Sequence, residues 1–128
     1  MSLKRNNKGF TFVELLIAVF ILAVAIGGVL LLYVTSMISS QLAWDMTVAT
    51  SHAEYVLEEA QRSDSIGSIL VMNWEEWAVD QGLNTLPGET IDIIFSEPSS
   101  NLLDMQVTVN WTRKLRSHGV TFITKVAK

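Results

Sequence analysis

The sequence predicts an α+β fold in which one long N-terminal helix, membrane-spanning in its first half, packs along its second half on a small antiparallel β-sheet of about three strands. Three observations carry that expectation. Residues 10–34 form an apolar run of 25 residues in which Glu14 is the only charge. Apolar residues then continue at steps of three and four as far as Ala60, the period of a helix with one buried face. Towards the end of the chain that period gives way to strict alternation, the mark of half-buried strands.

At about 1.5 Å per residue the first run spans ~37 Å, which exceeds the ~30 Å hydrocarbon thickness of a bilayer. Lys4, Arg5 and Lys8 precede it and no basic residue follows before Arg62, so the positive-inside tendency places the leader in the cytoplasm and the bulk of the chain outside. A carboxylate inside such a run costs roughly 2.5 to 3.5 kcal/mol at mid-bilayer and less near an interface. Glu14 therefore needs either a partner or a place at the headgroup level. Cleavage between Gly9 and Phe10 would supply the partner, because the new α-amine on Phe10 falls one helical turn from Glu14, on the same face, in this subunit or an identical neighbour.

Lys8-Gly9, followed by Phe10-Thr11-Phe12-Val13-Glu14-Leu15-Leu16 and an uninterrupted apolar helix, resembles the type III signal of type IV pilins and of type II secretion pseudopilins. The resemblance covers residue 8 to about residue 32. It implies a leader, residues 1–9, removed by a prepilin peptidase on the cytoplasmic side, N-methylation of Phe10, and pairing of Glu14 with a subunit terminus as helices stack in a filament. It further implies the family's lollipop, with a membrane and assembly helix over residues 10–34 and a small globular domain over 35–128 that includes the outer half of the long helix. The implied partners are the peptidase/methyltransferase, other pilin or pseudopilin subunits, an inner-membrane assembly platform, and the lipid bilayer before assembly. Many pilins carry a proline in the middle of this helix, whereas here the first proline is Pro87. Gly27-Gly28 lies in the corresponding region, where two glycines either soften the helix or permit close helix approach.

Beyond the apolar run Ile38, Leu42, Met46, Ala49, Ala53, Val56 and Ala60 form the stripe, with Ser39, Asp45, Thr50, Glu54 and Glu58 largely off it. One helix from about residue 10 to residue 62 is expected, ~80 Å long, ended by Ser63, Asp64, Ser65 and Gly67. Residues 66–82 read as a short amphipathic helix or as an irregular, aromatic-rich connection. Leu86-Pro87-Gly88-Glu89 is a turn. Ile91, Ile93 and Phe95 then alternate in a short strand, residues 97–101 form a loop, and Met105, Val107, Val109 and Trp111 share one face of the clearest strand, 105–113. Residues 114–119 are expected to turn the chain into a final strand with Val120, Phe122, Thr124 and Val126 on one face. Trp77, Leu86-Pro87-Gly88 and Val107-Thr108-Val109-Asn110-Trp111-Thr112 look like the V-type minor pilins of type IV pilus systems or the related I-type minor pseudopilins of type II secretion.

Enzymatic chemistry is not expected. His52-Ala53-Glu54 matches part of a zinc deaminase signature, but the chain has no cysteine to complete it, and His52 reads as a helix-surface residue. Glu75 and Glu76 diverge by about 100° on a helix, a poor acid and base pair. No phosphate loop or Gly-x-Ser-x-Gly elbow occurs, and no metal or cofactor is implied. Trp111 is expected in the core, while Trp44, Trp74 and Trp77 are candidates for either core or subunit contact. The formal charge is −4. All thirteen acidic residues lie within 10–112 beside the single cation Arg62, whereas Arg113, Lys114, Arg116, Lys125 and Lys128 make the last hairpin basic. That split suits contact between subunits, a solvated hairpin, or attraction of DNA. No aromatic platform accompanies the basic turn, which argues against DNA.

These readings lead to one expectation: a minor, pilin-like structural subunit, processed and methylated, that takes part in a priming or tip complex of a type IV pilus and passes from the inner membrane into a periplasmic or surface filament. A pseudopilin of a secretion apparatus is the alternative within the family. An uncleaved signal-anchored protein, or an exported soluble domain cleaved after Ala23-Val24-Ala25, is the alternative outside it.

Overall fold

A computed structural model describes residues 9–96 and 101–128. The elements run α1 (Phe12–Arg62), α2 (Ile66–Val71), α3 (Trp74–Asp80), β1 (Thr90–Ser96), β2 (Leu102–Arg113) and β3 (Arg116–Ala127). The leader cations and all but Asn101 of the expected 97–101 loop lie outside the described residues. The chain divides into two units, one ending at Gln41 and the other spanning Leu42–Lys128.

In the first unit α1 is continuous across Gly27-Gly28, and every described side chain through Gln41 is exposed. The helix is apolar all round, so it has no single face to bury.

The second unit begins where α1 becomes one-sided. Ala49, Ala53, Val56 and Ala60 are fully buried and share one core cluster with Leu103, Met105, Val107, Val109 and Trp111 of β2 and Val126 of β3. Three of the four helix positions are alanine, which lets the helix backbone come close to the larger side chains of the sheet. The sheet is antiparallel in the order β1-β2-β3, with Ile93 opposite Val107 and Val107 opposite Phe122. Helices α2 and α3 resolve the aromatic-rich connection into two short pieces. Ser65 caps the first by accepting from the Ser68 N–H, and Asn73 caps the second by accepting from the Glu76 N–H. At the end of α3 the Leu83 N–H donates to the Ala78 carbonyl and the Gly82 N–H to the Val79 carbonyl. This crossed pair requires a left-handed residue, which Gly82 supplies at φ +76°.

Two expectations are corrected here. Asp45, placed off the helical stripe by its charge, is buried at 1 % exposure, whereas Met46 lies exposed. The reason sits 68 residues away: Arg113 donates from Nε to Asp45 Oδ2 at 2.5 Å and from Nη2 to Oδ1 at 2.8 Å, a two-pronged pairing that compensates the loss of water. The second concerns the expected turn over 114–119, which shrinks to Lys114 and Leu115, because Arg113 still pairs with Arg116 across the ladder. Both turn residues have positive φ, 49° and 65°, as a two-residue hairpin of the primed type demands.

Arg113→Met should destabilise the second unit, towards the low end of the roughly 3–5 kcal/mol expected on leaving a buried charge unpaired, since the Arg113 side chain is 28 % exposed. Adding Asp45→Leu should recover most of that loss, as read by urea unfolding of the detergent-solubilised chain followed by tryptophan fluorescence. The double change Lys114→Asn with Leu115→Gly should instead raise stability by about 1 kcal/mol in the same assay, because those residues adopt the left-handed conformation at lower cost.

Candidate functional site

Gly9 and Phe10 are exposed ahead of α1, and Thr11 is its N-cap. The Thr11 hydroxyl accepts from the Glu14 N–H at 3.2 Å. In return Glu14 Oε2 accepts from the Thr11 N–H at 3.0 Å and from the Thr11 hydroxyl at 3.1 Å. This reciprocal arrangement is a capping box, and it holds the carboxylate at the Phe10-Thr11 peptide, beside the predicted scissile bond. Sequence reasoning assigned Glu14 to the α-amine of Phe10, in this subunit or a neighbour, and missed this local role. The signal was present as Thr-x-x-Glu before an apolar run. One carboxylate oxygen is occupied by Thr11, and Oε1 has no hydrogen-bond partner among the described residues, so the group can still accept a cation.

The apolar residues that follow, from Phe12 to Ile38, are all exposed, and α1 is long and apolar enough to cross a membrane. A Cβ added at Gly27 or Gly28 would meet nothing within 4 Å. Both positions are open, and the helix passes through them without a break.

Other candidates from the sequence scatter through the second unit. His52 is not a solvent-facing helix residue: its Nδ1 lies 2.5 Å from Glu89 Oε1, and the tautomer with a proton on Nδ1 is the one able to donate to a carboxylate. Glu89 Oε2 also accepts from the Leu86 N–H at 2.8 Å, so the pair fastens the 86–89 turn to α1. Glu75 and Glu76 are both exposed, and Glu76 only braces its own N-cap, Asn73. Trp111 is buried as expected. Trp74 is buried too and donates from its indole to the Ile69 carbonyl at 2.9 Å. Trp77 stacks on Tyr55 and meets the edge of Trp74. Trp44 alone of the four stands out in solvent, at 69 % exposure.

The basic hairpin is not one patch. Arg113 is engaged by Asp45, Lys125 lies 3.3 Å from Asp104 Oδ1, and Lys128 donates from Nζ to the Gln61 carbonyl. Lys114 and Arg116 are the hairpin cations with no such partner among the described residues, and they flank Leu115, which is 100 % exposed.

No curated protein and no solved structure matches the chain. The family match that does exist ends at residue 30 and so bears on the first unit alone. Residues 4–30 match the prokaryotic N-terminal methylation motif; the chain thus carries a signal consistent with that of type IV pilin-like prepilins, on an apolar helix that fits membrane anchoring.

Proposed function

We propose that the chain is a minor pilin-like structural subunit that works by packing, not by turnover, in the priming or tip complex of a type IV pilus. A prepilin peptidase removes residues 1–9, the new amine of Phe10 is methylated, and the mature subunit waits in the inner membrane with its second unit outside the cytoplasm. The observation that carries this reading is the methylation motif over residues 4–30, set at the start of a helix whose apolar residues from Phe12 to Ile38 are all uncovered.

The physical sequence of events follows from what each group needs. Before assembly, lipid covers the apolar helix, and Thr11 keeps the Glu14 carboxylate from being a bare anion near hydrocarbon. On assembly, neighbouring helices replace lipid by side-chain packing, for which Gly27 and Gly28 leave room or local give. The free lone pairs of Glu14 then take the α-amine of a neighbouring Phe10, a charge-assisted contact stronger than a neutral hydrogen bond. The same steps would serve the pseudopilus of a secretion system.

Intact mass of the protein purified from membranes checks processing. The expected result is loss of residues 1–9 plus one methyl group; an intact leader would indicate a signal anchor, and a terminus at Ile26 an exported domain. Glu14→Leu should leave leader removal unchanged and lower incorporation into sheared filaments about tenfold or more, the consequence of losing a charge-assisted bond worth roughly 1.5–3 kcal/mol. Incorporation at the normal level would overturn the assembly role of Glu14.

A further inference from the structure

The β2–β3 tip combines features that the proposed packing of helices does not use. Lys114 and Arg116 project without intramolecular partners among the described residues, and between them Leu115 is completely exposed. Two non-glycine residues are held there in the left-handed region, at φ 49° and 65°, where each costs roughly 1–2 kcal/mol. The tip also has a defined position within the second unit. The Asp45–Arg113 pair fixes the end of β2 to the start of that unit's share of α1, while the Lys128–Gln61 contact fixes the far end of β3 to the end of α1. The tip therefore lies at the end of the unit where the chain enters, the same end that carries exposed Trp44. Ten residues lie between Val34, the last of the apolar run, and Asp45.

We propose that this end of the second unit, Lys114, Leu115, Arg116 and Trp44, docks on anionic phospholipid headgroups while the subunit waits in the membrane. Two cations beside an exposed leucine and an exposed indole are the complement of a headgroup layer: phosphate attracts the cations, and the interface accepts Leu115 and the amphipathic ring of Trp44. An acidic protein surface would satisfy the cations but not an apolar side chain at their centre. Short tethering favours the bilayer over a distant partner, since the helix that enters the unit emerges from that same bilayer. The inference rests on the membrane reading above, and it adds a resting state in which the folded unit is held down until assembly lifts it.

The chain has no cysteine, so Ser117→Cys in the full chain gives a single labelling site beside the tip, and Ile123→Cys gives a control ~20 Å further along β3. The labelled proteins, carrying a polarity-sensitive fluorophore, are reconstituted at low protein-to-lipid ratio in vesicles of phosphatidylcholine with or without a third phosphatidylglycerol. Quenching by lipids brominated near the headgroup is then read. Quenching at position 117 is expected in the anionic vesicles, with little at 123 and little in phosphatidylcholine alone. Lys114→Glu with Arg116→Glu should lower the docking equilibrium by about 30-fold or more. Equal aqueous exposure in both lipids would overturn the proposal, as would protection that appears only at high protein-to-lipid ratio, the sign of a second copy, or only on adding duplex DNA. Flotation of the same vesicles reports insertion separately: a chain that floats with an aqueous tip removes this inference alone, and one that fails to float removes the membrane reading with it.

Discussion

One helix has to satisfy two solvents. Up to Val34 the side chains of α1, Glu14 apart, are apolar on every side and uncovered, a surface that water does not tolerate over such a length and that lipid or packed helices do. From Leu42 onward the same helix is apolar on one side only, and that side is filled by a three-stranded sheet. The change of pattern along a single element separates an apolar, uncovered segment from a folded unit. It also explains why a single carboxylate near the helix start matters so much: in a stretch with no other charge, its partners decide how the segment can be solvated.

Glu14 meets that demand twice over. Its capping box with Thr11 serves the helix end, where backbone N–H groups otherwise lack acceptors. The proposed pairing with an incoming amine serves the filament. The two roles are compatible because the Thr11 hydrogen bonds use Oε2 and leave Oε1 free. A residue that is locally satisfied yet still able to accept a cation suits the proposed passage of the subunit from lipid into a filament.

The second unit is held by a few long-range polar contacts laid over an ordinary apolar core. Asp45 with Arg113, His52 with Glu89, and Lys128 with the Gln61 carbonyl tie the helix to the end of β2, to the turn before β1 and to the end of β3. Together with the alanine face of α1 they set the sheet against the helix, and the first of them also determines which end of the unit bears the strained hairpin. Arg113 is thereby withdrawn from the basic cluster that charge counting suggested, leaving Lys114 and Arg116 as a smaller and better-placed pair.

By itself the sequence determined the elements and their faces: the apolar run of residues 10–34, the Ala49, Ala53, Val56 and Ala60 stripe, the inward set Met105, Val107, Val109 and Trp111, and the methylation motif at the start of the chain. These are local periodicities of 3.6 and 2, or a contiguous motif, and a window of neighbours is enough to read them. The Thr11–Glu14 box was local as well, and was overlooked because the charge of Glu14 invited a charged partner, the α-amine of Phe10. Only the tertiary structure decided the fate of Asp45 and His52. A charged or polar residue is assigned to solvent unless its partner is known, and those partners lie 68 and 37 residues away. It likewise decided the two-residue turn at Lys114-Leu115: nothing in those side chains favours positive φ, and the pairing of β2 with β3 imposes it.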